Sequence, residues 1–208
     1  LQGDAAGAEE QLKRVAQAGP ANGDASAALG MVAYTQGKTE EAQQLLEQAL
    51  QQGTQIEPLV RTRLGMLYLH GGDAAKALPH LEAARTQEAA KPEAPFFHAL
   101  ALNALGRTAE AINALEELAE EETEYAAEAA TELAAIHIRQ GDALRAEEQL
   151  RRGQQLGGSS AKFYTLQGQL QAMNGQFTEA QESFRQAINT DPTYPAAYLE
   201  QGLLLVQR

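Results

Sequence analysis

Glycine recurs through this chain at a nearly constant interval. Gly3, Gly37, Gly72, Gly106, Gly141 and Gly175 are separated by 34, 35, 34, 35 and 34 residues. An alanine stands five residues after each of them: Ala8, Ala42, Ala77, Ala111, Ala146 and Ala180. Four residues further on the position is large and apolar: Leu12, Leu46, Leu81, Leu115, Leu150 and Phe184. A period of this length marks a supersecondary unit that cannot bury its apolar face alone and stacks on copies of itself.

Each unit reads as two helices. The first ends at the glycine, which accepts the left-handed backbone needed just past a helix end. Asp4, Thr39, Asp73, Thr108, Asp142 and Thr178 follow as cap candidates for the second helix, since their side-chain oxygens can accept from free N–H groups. Apolar residues then recur at helical spacing, as in Ala42, Leu45, Leu46, Ala49 and Leu50. Seven residues before each glycine the position is small, at Gly30, Gly65, Ala99, Ala134 and Gly168, and Gly202 continues the series. Glycine inside a helix costs about 0.5–1 kcal/mol relative to alanine, so close approach of the paired helix must offset it. The small residue is expected to face the small alanine of the second helix, with Leu46 and Phe184 filling the space between hairpins.

These positions together resemble the tetratricopeptide repeat. The unit Ala161–Tyr194 carries Tyr164, Gly168, Gly175, Ala180, Phe184, Ala187 and Pro192 at that family's spacings. Pro58–Lys91 carries Leu64, Gly65, Tyr68, Gly72, Ala77, Leu81 and Ala84. Pro95 and Gly153 are departures from the pattern. The resemblance implies an all-α fold, a right-handed superhelical solenoid of antiparallel helix hairpins with about 12 helices, in one domain over residues 1–208. Its whole repeats are Gly23–Ile56, Pro58–Lys91, Pro92–Tyr125, Ala127–Ser160 and Ala161–Tyr194, with Glu57 and Ala126 as single-residue insertions. Half repeats flank them at 1–22, with a lone second helix over Ala5–Ala18, and at 195–208, with a lone first helix over Ala196–Gln207. This reading makes the chain a fragment of a longer array, able to self-associate through exposed terminal helices.

In the family the concave face is lined mainly by the first helix of each hairpin. Carried over, its partner-binding positions are Met31 and Tyr34; Thr62, Met66, Leu69 and His70; Phe96, Leu100 and Asn103; Thr131, Ile138 and Arg139; and Thr165, Gln169 and Met173. All three methionines fall here, and methionine suits an adaptable apolar contact. A peptide, helix or domain of another protein is the expected occupant. The carboxylate clamp of co-chaperone members is excluded by residue type: the fifth positions Ala27, Thr62, Phe96, Thr131 and Thr165 include no lysine, and the ninth, Met31, Met66, Leu100, Ala135 and Gln169, no asparagine.

Catalytic and metal chemistry finds no foothold in the sequence. His70, His80, His98 and His137 show no HExxH spacing and read as packing residues. Gly157–Ser160 lacks the spacing of a phosphate loop, and Glu116–Glu124 lacks the pattern of a calcium loop. The reading is therefore a non-enzyme without cofactor or metal. A formal net charge of −12 argues against nucleic acid, whose phosphates are bound by cations. No apolar run reaches the ~20 residues that span a bilayer, and cysteine is absent, which excludes disulfides. The function expected is a protein–protein interaction scaffold, in a bacterial cell-envelope complex such as exopolysaccharide export or an outer-membrane lipoprotein adaptor. The composition favours a periplasmic or outer-membrane-associated place over a cytoplasmic one. The alternative is a structural spacer or oligomerisation element linking a membrane-anchored part to a pore or enzyme.

Overall fold

The structure is a computed structural model, and it describes residues 10, 14, 22–87, 92–121 and 123–206. Eleven α-helices and no strands occur among the described residues. They are α1 (Gly23–Thr35), α2 (Thr39–Gln52), α3 (Glu57–His70), α4 (Ala74–Arg85), α5 (Glu93–Ala104), α6 (Thr108–Glu120), α7 (Ala126–Gln140), α8 (Ala143–Gln155), α9 (Ala161–Met173), α10 (Phe177–Thr190) and α11 (Pro195–Val206). Of the twelfth expected helix, over Ala5–Ala18, only Glu10 and Arg14 are described, both as helix, and the rest lies outside the described residues, as does the cap candidate Asp4. The chain forms two compact units, residues 1–107 and 108–208. The first holds the hairpins α1–α2 and α3–α4 with α5. The second holds α6, the hairpins α7–α8 and α9–α10, and α11.

The glycine series closes the ends of the first helices. Gly37, Gly72, Gly106, Gly141 and Gly175 have φ between +71° and +79°, a region closed to most side chains. The residue after each glycine donates its N–H back into the first helix: Lys38 to Ala33, Asp73 to Tyr68, Arg107 to Leu102, Asp142 to His137 and Gln176 to Gln171. This is the Schellman closure, which satisfies carbonyls that the helix end would leave orphaned.

The caps divide by residue type. Asp73 accepts from the N–H of Lys76, and Asp142 from that of Arg145. Thr39 is instead the first residue of its helix and Thr178 the second, behind Lys38 and Gln176, which make no side-chain cap bond. Two caps of first helices carried no periodic signal: Asn22 accepts from Asp24 and Ala25, and Ser160 from Phe163. Glu57 and Ala126 are absorbed into the first turns of α3 and α7. Pro95 sits in the first turn of α5, where its missing N–H would have had no helical partner.

Packing inside a hairpin differs from the expectation. The small residue of the first helix lies under the large residue of the second, not against its alanine. A Cβ placed on Gly30 would fall 2.7 Å from Leu46 Cγ, on Gly65 2.3 Å from Leu81 Cγ, and on Gly168 2.5 Å from Phe184 Cε1. Leu46, Leu81 and Phe184 therefore seal their own hairpins, each at most 1% exposed. The reason is side-chain reach: a leucine or phenylalanine at the crossing fills the hollow a glycine leaves, which a methyl could not.

Candidate partner-binding face

Three threonines expected on the binding face turn inward. Thr62, Thr131 and Thr165 occupy the same place in three repeats, and all are buried. Each hydroxyl donates to the carbonyl four residues earlier, on Pro58, Ala127 and Ala161, at 2.8 Å. Those donors are spent inside their own helices. In the first unit Met66 and Phe96 are also buried, at 7% and 6% exposure. Met31, Tyr34, Leu69, Leu100 and Asn103 are half-buried there, and His70 is exposed. In the second unit Ile138 and Gln169 are half-buried and Arg139 and Met173 exposed.

Successive first helices are laced by charge. In the first unit Arg63 of α3 lies over the Tyr34 ring of α1, 5.3 Å from its centroid, and pairs with Glu93 of α5 at 2.5 Å. In the second unit Glu132 of α7 meets Lys162 of α9 at 2.5 Å. Both pairs join the sixth place of one repeat to the second place of the next, with the signs exchanged. Glu93 and Lys162 are thereby engaged within the protein. The pattern was available in the sequence as complementary charges 30 residues apart.

Three of the expected binding residues come together in one open groove of the second unit. Ile138 of α7, Gln169 and Met173 of α9, and Glu200, Leu203 and Leu204 of α11 line it, with Ala172 and Phe184 at its floor; its volume is ≈ 400 Å³. Met173 and Leu203 are 51% and 48% exposed. Leu203 stands at the ninth place of its repeat, as Met31, Met66, Leu100 and Gln169 do in theirs. Extending that place into α11 would have found it. Two larger concavities of this unit, ≈ 530 and ≈ 750 Å³, are walled by glutamines such as Gln167 and Gln171 and by carboxylates and arginines of the second helices, and the first of them also by Leu144, Leu150 and Leu170, of which only Leu144 is exposed. Exposed apolar side chains gathered in a groove are the stronger mark of a binding surface.

His80 and His98 pack against neighbouring side chains, whereas His70 is exposed. His98 is buried on α5, with Nε2 2.6 Å from the carboxylate of Glu82, which Arg85 also holds. Burial and the Arg85 charge keep its imidazole below the ordinary range, against the pull of Glu82. His80 stacks on Tyr68, centroids 5.7 Å apart. Burial, then Arg61, lowers its pKa. Among the described residues no group of three His, Asp or Glu could hold a metal ion, and no helix is long and apolar enough to cross a membrane.

Comparison with known proteins matches four stretches to tetratricopeptide repeat models: residues 1–67, 58–83, 98–161 and 161–194. No curated protein matches the chain. Among solved structures, Pseudomonas aeruginosa pilF superposes with TM-score 0.75 at 19% identity, covering 100% of this chain and 91% of that one. PilW, described as a widely conserved type IV pilus biogenesis factor, gives 0.74 at 17%, covering 97% and 91%. A chain of the APC/C hetero-tetramer Cut9–Hcn1 gives 0.75 at 15%; 97% of this chain is covered, but only 40% of that one. At these identities the structural likeness speaks to fold. With the repeat models matched along most of its length and the hairpins in the register they require, this chain belongs to the tetratricopeptide repeat family.

Proposed function

We propose that the chain is a non-catalytic scaffold that holds an apolar segment of a partner protein against its first helices, with the Ile138–Gln169–Met173–Leu203 groove as the principal contact. The observation that carries this reading is the convergence of three successive first helices on one open groove with Met173 and Leu203 half exposed. Tetratricopeptide repeats are protein-interaction folds, and a stacked array presents such surfaces by construction. In the first unit Met31, Tyr34, Leu69, Leu100 and Asn103 hold face positions on their own first helices. Its place is a bacterial envelope complex, a reading to which the likeness to a type IV pilus biogenesis factor lends support.

The test uses two exposed or half-exposed groove positions, so that the fold is spared. Gln169→Glu with Met173→Glu places two carboxylates one turn apart beside Glu200. Proteins crosslinked to the wild-type chain in an envelope fraction and identified by mass spectrometry should be lost from the variant, with circular dichroism unchanged. Equal recovery by both chains would remove the groove from the proposal.

A further inference from the structure

The seventh place of the repeat belongs to the core. Leu29, Leu64 and Leu133 hold it at no more than 6% exposure, and His98 holds it at 7%. The repeat Ala161–Tyr194 has Gln167 there instead, and Gln167 is half-buried. The preceding second helix changes in step. His98 meets Glu82 of α4, sixteen residues before it. Sixteen residues before Gln167 stands Arg151 of α8, and the two side chains line one cavity of ≈ 530 Å³. The core place that is sealed in the other whole repeats stands open here. A local rule broken inside an otherwise regular array points to function. The cavity lies between α8 and α9, with α7 before them and α10 after them in the chain.

Its walls are polar and unspent. Glu147, Glu148 and Arg151 of α8 and Gln167, Gln171 and Asn174 of α9 line it. Five of these six side chains make no hydrogen bond or ion pair among the described residues. Gln171 accepts from Ser183 through Oε1 at 2.7 Å and keeps its two N–H donors. Leu150 and Leu170 are buried beneath, and Leu144 stands at the rim, 82% exposed.

These groups restrict what can occupy the cavity. A carboxylate or phosphate would meet Glu147 and Glu148, and a bare cation would meet Arg151. An apolar group would leave the amides unpaired. A hydroxyl both donates and accepts, so it serves a carboxylate, a guanidinium or an amide equally. A ring that carries several hydroxyls also has C–H faces to set against leucine. The volume falls in the range of small-ligand sites.

We infer that the α8–α9 cavity binds a neutral saccharide, with Glu147, Arg151, Gln167 and Asn174 holding its hydroxyls and the leucines meeting its C–H face. This site is separate from the apolar groove proposed above, which α7, α9 and α11 form on other residues.

The probes are maltohexaose and cellohexaose, titrated into the isotope-labelled intact chain and followed by NMR. Saturable movement of the side-chain amide signals of Gln167 and Asn174 is the expected result. Gln167→Leu gives this repeat the leucine found at the same place in three others. It should weaken binding by on the order of tenfold or more, with circular dichroism matching the parent and a urea midpoint no lower. Arg151→Ala, on the exposed wall, should also weaken it. The chain with Gln169→Glu and Met173→Glu should bind the saccharide as the parent does, which separates the cavity from the groove. No saturable shift with either hexasaccharide overturns the assignment, as does undiminished binding in Gln167→Leu. Tighter binding of hexagalacturonate overturns it too, because Arg151 would then be reading a carboxylate. So does tighter binding of a capped Gly-Ser octapeptide, because the amides would then be reading a peptide backbone.

Discussion

Alanine in place of Gly168 and alanine in place of Gly202 should move stability in opposite directions. Both glycines are inside helices at the same repeat position, so each substitution recovers about 0.5–1 kcal/mol of helix propensity. At Gly168 the new methyl lands 2.5, 2.7 and 3.0 Å from three ring atoms of Phe184. That ring is 1% exposed. Overpacking of this kind costs about 1–3 kcal/mol, leaving a net loss of up to roughly 2.5 kcal/mol once propensity is credited. At Gly202 nothing is met, so only the gain remains. With a urea slope of about 1–3 kcal/mol/M, a 1 kcal/mol loss lowers the unfolding midpoint by about 0.3–1 M. Midpoints followed by circular dichroism should therefore fall for Gly168→Ala and rise for Gly202→Ala. Adding Phe184→Leu to Gly168→Ala recreates the Ala134–Leu150 pairing that this chain already uses in α7 and α8. The double variant should sit above the sum of its two single losses, a coupling expected of residues in contact. If Gly168→Ala stabilises as much as Gly202→Ala, the knob-over-glycine account of the hairpin is wrong.

Three other outcomes follow from the geometry. Gly23→Ala should be more damaging than any of these: its Cβ would lie 1.9 Å from the Gly53 carbonyl oxygen, and backbone cannot move aside as a side chain can, so thermal melting should show a loss of about 3 kcal/mol or more. Glu132→Lys should lower the unfolding free energy read from urea titration by about 0.5–1 kcal/mol, and Lys162→Glu added to it should restore the value by copying the polarity of Arg63–Glu93; failure of the second change to rescue would show that the pair is incidental. For His80 and His98 the folded pKa lies below the unfolded value of about 6.5. The unfolded chain thus binds more protons, so stability is full above that value and is lost as pH falls through the folded pKa. Urea midpoints should drop between pH 7.5 and 5, and a chain with His80→Phe and His98→Gln should lose less; a midpoint that rises on acidification would reverse the sign.

How far the binding face could be read depended on what each position answers to. Ile138, Gln169 and Met173 were placed by repeat position and do share a groove. Leu203 obeys the same positional rule one helix later. Thr62, Thr131 and Thr165 also matched a family position, but a threonine hydroxyl has a nearer acceptor in its own helix, and repeat spacing carries no sign of that choice. The lacing pairs Arg63–Glu93 and Glu132–Lys162 were present as charges in sequence, yet nothing in a single helix says that the sixth place of one repeat reaches the second place of the next.

The hairpin turns were determined by residue type alone, because a positive φ and a Schellman closure are settled within six consecutive residues. The length of the repeat, the alternation of helices and the apolar stripes have equally local causes. Which side chain fills the hollow above Gly30, Gly65 or Gly168 is not local. It depends on where two helices cross and how far a side chain extends, and a leucine reaches that crossing while an alanine does not. Only the packed hairpin decides that, and with it which side chain seats over Gly30, Gly65 and Gly168.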